Sequence, residues 1–585
     1  MDSAWRGRAA AWGTALSLLL AACGGGVGGG GGGTETGQGG GPAPEMPADR
    51  AAASRFLTQA SFGPTSEQTD RVLSLGYAAW IDEQVQKPLS SHRAEWDASN
   101  AAIKAVDANA SAGQEEVTYA FWKHAVSGED QLRQRVAYAL SQIFVVSMQD
   151  NNVGDQPRAV AAWLDMLGEK AFGNYRDLLE AVALNPLMGM YLSHLRNQKA
   201  DPRTGRVPDE NFAREVLQLF SIGLVELDAD GSARQVNGKP VDTYSPADIA
   251  GLARVFTGWS WACPDWPDNS CFFNGSANNN TDPDRAIKAM LGYPQYHSVE
   301  EKRFLGISVP TQSQSDPKAS LKAALDALHN HPNVGPFIGR QLIQRLVTSN
   351  PSPAYVQAVS AAFANNGAGV RGDLRAVVKA VLMHPEARQR SDSAGKLREP
   401  VLRLSAMLRA FGYRSDSGQF KIGNTDNPAN SLGQTALRSP SVFNFYRPGY
   451  VPPGTAAAAR GLAVPELQIA HETSAAGYVN MLRDAIRDGA GNFHNATNRR
   501  DLQPDFSAEL ALADQVSALV DTVAQKIMAG PMPAALTTEV QGAVEKIVIP
   551  VATATNATQV NAAKRRRVNA TLLLLMASPE FLVQK

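Results

Sequence analysis

From about residue 51 onward, large apolar residues recur at three- and four-residue intervals, separated by polar or small ones. Leu132, Val136, Leu140, Ile143 and Phe144 form one such stripe within 131–146, and comparable stripes run through 160–168, 176–183, 246–257, 317–329, 335–347, 354–364, 373–383 and 399–411. This is the period of amphipathic helices packed into a shared core, whereas the two-residue alternation of half-buried strands is scarce. The pattern predicts a mostly α fold, a large multi-helix bundle with few short strands. Ser245-Pro246-Ala247-Asp248 is a well-formed helix start, with a side-chain cap, proline at the first helical position and a carboxylate near the positive end. Leu227 to Tyr244 is rich in turn residues and predicts a small hairpin.

Part of the pattern occurs twice. Gln344-Arg345-Leu346-Val347 followed by Pro351-Ser352-Pro353-Ala354 is echoed by Gln525-Lys526-Ile527-Met528 followed by Pro531-Met532-Pro533-Ala534, and Val381 to Glu386 is echoed by Leu575 to Glu580. Each copy reads as helix, proline turn, helix, loop, helix and a Pro-Glu stop, spanning about 337–388 and 518–581. Two copies suit an internally duplicated bundle better than a solenoid, which needs three or more stacked units. The second copy carries Lys564-Arg565-Arg566-Arg567, read as a solvated helix start. The organisation expected is thus a leader (1–22), a tether (23–50), an N-terminal helical region (51–330) and a C-terminal helical region with the duplicated unit (331–585).

The segment 209–223 concentrates two kinds of face. Phe212, Val216, Leu219 and Phe220 recur at helical spacing, while Glu210, Asn211, Arg214, Glu215 and Gln218 fall between them. Glu210 with Arg214, and Asn211 with Glu215, lie one turn apart. Aimed inward, two carboxylates and a guanidinium make a candidate acid/base group, Glu210, Arg214 and Glu215, with Asn211 and Gln218 as binding residues. The competing and favoured reading is a buried ion-pair network that locks the bundle. Trp259, Trp261 and Trp266, followed by Phe272 and Phe273, offer flat faces of the kind that stack on sugar rings, or else plug the bundle. The aromatic and proline-rich segment 439–449 reads as a rigid clamp able to line a groove.

Charge and cysteine usage narrow the functional classes. Lys plus Arg number 55 against 56 Asp plus Glu, so no overall field draws the chain to nucleic acid. Arg6 and Arg8 precede the short apolar run Ala9 to Leu20, the form of an export signal. Leu20-Ala21-Ala22-Cys23 resembles the lipobox of bacterial lipoproteins, which implies cleavage before Cys23 and acylation of its thiol. Gly24 in place of Asp favours the outer over the inner membrane. Residues 24–41 are almost all glycine, a flexible tether reaching on the order of 25 Å. In an oxidising compartment the two remaining cysteines, Cys263 and Cys271, are expected to pair.

Signatures of common chemistry are missing: no nucleophile elbow, no phosphate-binding loop and no zincin helix. His329-Asn330-His331 has two imidazoles without a third ligand, and Asp228-x-Asp230-Gly231 opens like a calcium loop but has Lys239 at its twelfth position. No metal is expected, and no cofactor is indicated.

The core 209–223, read as Asp-Glu-Asn-Phe-Ala-Arg-Glu-x-x-Gln-Leu-Phe-Ser-Ile-Gly, is accompanied by Arg55 to Gly63 early, Ala253 to Trp259 after it and Ser578 to Phe581 late. As a set these resemble the bacterial domain-of-unknown-function 1800 family, over about 51–585. That family typically has Asn where Asp209 stands. The resemblance implies a mostly helical exported protein, and a genomic neighbour in the sulfatase-like domain-of-unknown-function 1501 family, without supplying an activity. The expectation is therefore a lipid-anchored cell-envelope protein that acts by binding, as a scaffold for such a partner or on an envelope glycan. The alternative is an envelope hydrolase using Glu210, Arg214 and Glu215.

Overall fold

Helices carry the chain almost throughout. The computed structural model describes residues 45–389 and 394–585; Cys23 and the glycine run lie outside the described residues. Among the described residues there are 26 helices, the longest Ala557–Ala577, while the strands are at most five residues long and pair antiparallel in twos and one three. No described helix is long and apolar enough to cross a membrane.

The stripes become helices where the spacing puts them. Those at 160–168, 176–183, 317–329 and 399–411 fold as Pro157–Lys170, Tyr175–Ala183, Pro317–Asn330 and Pro400–Ala410. Ser245 caps Pro246–Val255 reciprocally: the Asp248 N–H donates to its Oγ, and its own N–H donates to the Asp248 carboxylate at 2.7 Å. The 227–244 excursion closes through the pairing of Gln235–Val236 with Lys239–Pro240. One hydrophobic core runs from Ala53 to Phe581 and draws on both helical regions, with Trp80, Trp122 and Trp163 among its fully buried anchors.

The duplication is plain in the element order. Val334–Leu346, Pro353–Ala364, Leu374–Met383 and Pro385–Arg388 are matched by Val516–Ile527, Ala534–Glu545, Ala557–Ala577 and Pro579–Leu582. Each set runs into a two-residue strand, Lys396–Leu397 and Val583–Gln584, and these two strands pair with each other. The Gln584 amide also donates to the carbonyls of Leu346 and Val347, both at 2.9 Å, filling acceptors left over where the first copy's leading helix ends.

The basic run departs from its expected role. It sits inside the Ala557–Ala577 helix, and only Arg566 is exposed. Lys564 pairs with Asp514, Arg565 lies over Phe506 with its guanidinium carbon 4.6 Å from the ring centroid, and Arg567 donates to the Ile547 and Ala513 carbonyls at 2.8 and 2.9 Å. Those carbonyls close other helical segments, so the cations complete neighbouring chain ends where a solvated start was expected.

Candidate functional site

The core motif folds as the helix Asn211–Gln218, entered through an Asp209 carboxylate that accepts the Asn211 N–H at 2.8 Å. Asn197 grips Asp209 from outside, accepting its N–H at 2.9 Å and donating to its carbonyl at 3.2 Å. On the far side Phe212 stacks on His194 with 3.9 Å between centroids and meets Phe256 edge-on at 4.7 Å. The motif is thus a junction between the 193–197 loop and the Pro246–Val255 helix.

The three charged residues do not converge. Glu210 and Arg214 form a 3.5 Å pair with both side chains 47% exposed, and Asn211 is exposed, its amide reaching Ser193 Oγ at 3.4 Å. Glu215 alone turns inward and is 8% exposed. The reason is helical phase: Glu215 lies three residues after Phe212 and four before Leu219, on the apolar stripe rather than opposite it. Neither an inward trio nor a buried ion-pair network forms at 210–215. Glu215 Oε2 has no hydrogen-bond partner among the described residues. Burial pushes its carboxyl above the usual range, against the pull of the Arg214 charge. The neighbouring Tyr191 phenol is pushed up to about 12 by burial, with Asp150 and Glu215 adding.

The aromatic segment divides in two. Trp259 is 3% exposed and belongs to the main core, so it is closed to any ligand. Trp261 is partly buried, with the Arg285 guanidinium 5.7 Å over its ring. Trp266 is 45% exposed and donates its indole N–H to the Gly292 carbonyl at 3.0 Å. Cys263 and Cys271 are disulfide-bonded and pack with Phe272, Ala277 and Tyr293 into a small core of their own. Trp259 thus plugs the bundle and Trp261 packs against it, while Phe272 belongs to the small side core around the disulfide.

Gln218 belongs elsewhere. With Leu219, Gly223 and Leu224 it lines a groove of about 340 Å³, whose facing walls are the Val334–Leu346 helix and the segment from Val442 to Gly449. Phe337, Arg340, Gln341, Gln344 and Arg345 contribute one face of that helix at i, i+3, i+4, i+7 and i+8. Two devices fix the walls. Buried Asn333 donates to the Ile222 and Val225 carbonyls at 2.9 and 2.7 Å and accepts the Leu227 N–H at 2.9 Å, stapling the turn after the core motif to the start of the helix. Ser147 donates to the Ser439 carbonyl at 2.7 Å, so the 439–449 clamp is held to the loop between the Gln131–Ser141 and Asn151–Gly154 helices.

Behind the groove lies the largest surprise relative to the sequence, a buried polar seam. Glu399 is fully buried, and its Oε2 accepts from Tyr138 at 3.0 Å and from Gln142 and Gln434 at 2.7 Å each. Lys396 Nζ lies 3.1 Å from Glu466 and donates to the Arg345 carbonyl at 3.0 Å; Arg135 donates to that same carbonyl at 2.6 Å. Arg345 donates to the Gln142 carbonyl at 2.9 Å, and Arg403 to the Arg398 carbonyl at 2.6 Å. Four buried cations (Arg135, Arg345, Lys396 and Arg403) face two buried carboxylates, Glu399 and Glu466. Arg135 Nε and Nη1, Arg345 Nε, Glu399 Oε1, Glu466 Oε2 and the Tyr446 hydroxyl have no partner among the described residues. Burial depresses the Arg135 and Arg345 guanidiniums, with Glu399, Glu466 and Tyr446 pulling the other way. The seam touches the groove at Gln142 and Arg345, and a second cavity of about 330 Å³ at Arg403 and Glu466. Its signal was present in the sequence: Arg135 falls on the same stripe as Leu132 and Val136, as Glu215 falls on that of Phe212 and Val216. A charge on an apolar face marks a buried ionic group.

Among the described residues no three His, Cys, Asp or Glu side chains are grouped to hold a metal ion. His329 and His331 instead end a helix, and Arg371 donates to both of their carbonyls. No curated protein and no solved structure shows significant similarity to the chain. The model of a family described as "Protein of unknown function (DUF1800)" matches residues 55–583, and the chain belongs to that family.

Proposed function

We propose that this chain is a lipid-anchored cell-envelope protein that acts by binding, and that its contact site is the groove between the Val334–Leu346 helix and the 442–449 clamp. The groove itself carries this reading: an apolar trough with side-chain amides and arginines on one wall, the mixture found in ligand and partner sites. Its partner is an exported sulfatase-like protein of the domain-of-unknown-function 1501 family, or an envelope glycan. The anchor is the acylated Cys23, with the outer membrane favoured by Gly24. Leu224, 56% exposed at the groove, permits a test that spares the core. Affinity capture of the full chain from solubilised membranes is expected to recover a stoichiometric exported partner, and Leu224→Trp to lose it. Equal recovery with both chains counts against the groove. Loss of acyl labelling in Cys23→Ala checks the anchor.

One observation favours a second reading, an envelope hydrolase. Glu215 is a buried carboxyl with a raised proton affinity beside two tyrosines, as a general acid requires. Glu210 and Arg214 keep only a surface role in it. Polymer turnover abolished by Glu215→Gln on a folded chain supports this alternative.

A further inference from the structure

We propose that the groove takes a single-chain fatty carboxylate, its aliphatic chain along Phe337, Leu219, Leu224 and Phe443 and its carboxylate at Arg340 and Arg345. This rests on the groove being the binding site and specifies what enters it. Three observations point to an anion with an apolar tail. The lining contains no Asp or Glu, while two guanidiniums open onto it, and Arg340 is exposed with no ion pair among the described residues. Arg345 is 5% exposed and lines the groove, with Nη1 and Nη2 donating to the Gln341 and Gln142 carbonyls at 3.3 and 2.9 Å, so it adds positive charge to that end of the groove. Behind it the seam holds more cations than carboxylates in a low-dielectric setting, so the floor carries a positive field that no described side chain neutralises. Helix ends soften this excess, since Arg135 and Lys396 both donate to the Arg345 carbonyl, but a dipole end offsets only about half a charge.

The opposite wall is apolar, through Val442, Phe443 and Pro448, and the side-chain amides of Gln218 and Gln341 also line the groove. A volume of about 340 Å³ is at the small end of ligand sites, roughly 300–1,000 Å³, which suits one chain better than a two-chain lipid. A guanidinium matches a planar carboxylate with two parallel hydrogen bonds, and the side-chain amides can donate to the same group.

The test uses the full-length Cys23→Ala chain, which removes the acylation site and leaves every described residue in place. Decanoate and decyltrimethylammonium are titrated by calorimetry below their micellar concentrations, and decanol below its solubility limit. Decanoate is expected to bind one to one and at least tenfold tighter than either probe of matched chain length. Arg340→Glu, a change at an exposed position, is expected to weaken decanoate at least tenfold and to improve decyltrimethylammonium. Leu224→Trp is expected to weaken all three probes. Equal binding of the three probes, with all three lost in Leu224→Trp, overturns the carboxylate assignment while leaving the groove as a binding site. Absence of decanoate binding overturns the proposal, and if partner capture also survives Leu224→Trp, the groove reading falls with it.

Discussion

Three buried imidazoles make the folded state sensitive to acid, and the size of the effect can be worked out. His124, His194 and His297 each have their proton affinity depressed by burial, to about 4 from an ordinary 6.5. The cause is clearest at His194: Nε2 donates to the Ala183 carbonyl at 2.9 Å, while Nδ1 has no partner and the ring lies flat against Phe212. A second proton there adds a charge with no acceptor in reach. Because the unfolded chain binds protons more tightly, stability is present above the unfolded value and drains away as pH falls from about 6.5 towards 4. Between pH 7 and pH 5 each histidine accounts for about 2 kcal/mol of loss, and the three together for about 6 kcal/mol. Glu215 and Glu466 act in the opposite sense, since their raised carboxyls gain from acid. The assay is urea unfolding followed by tryptophan fluorescence at pH 7 and pH 5, for the native chain and for His194→Gln, whose amide can keep the bond to Ala183. The variant is expected to show a pH-dependent loss smaller by about 2 kcal/mol. Identical losses in the two chains refute the assignment of a naked, depressed imidazole at 194.

Other expectations follow from the same geometry. Glu399→Gln leaves the seam's cations less compensated and is expected to lower stability by about 3–5 kcal/mol, read by thermal unfolding; no change means the seam is solvated. Glu215→Gln removes a buried carboxylate whose Oε2 has no partner among the described residues, so at pH 7 stability is expected to hold or rise, and a fall of more than about 1 kcal/mol argues for an ion pair at Glu215. Gly223 has φ +73° and any Cβ on it lies 2.7 Å from the Phe337 ring, so Gly223→Ala is expected to strain the turn and drive that ring into the groove, weakening ligand binding and stability together. Reducing the Cys263–Cys271 bond frees a short loop and is expected to cost the 259–296 side structure about 2–3 kcal/mol, seen as faster proteolysis there while the main core stays protected.

The helical body, its cap at Ser245, the hairpin near 240 and the duplication were legible because each rests on local spacing or turn chemistry. The site was less so. Treating 209–223 as one apolar and one polar face placed Glu215 with Glu210 and Arg214, although its phase belongs with Phe212 and Leu219. Gln218, read as a binding residue on the polar stripe of that helix, lines a groove whose opposite wall comes from residues more than two hundred positions away, which no spacing rule reaches. The seam was missed for a similar reason. Arg135 announces itself only as a charge on an apolar stripe and Glu399 only as the residue before a helix-starting proline, and their common surroundings exist only after folding.

The strand after each copy of the duplicated unit finds its hydrogen bonds on the strand of the other. Neither copy can therefore close alone: the first must wait, with its edge and the carbonyls at Leu346 and Val347 unclaimed, until Gln584 has been made. Cutting either strand out of that pair is expected to open both units, so the two copies stand or fall as one latch.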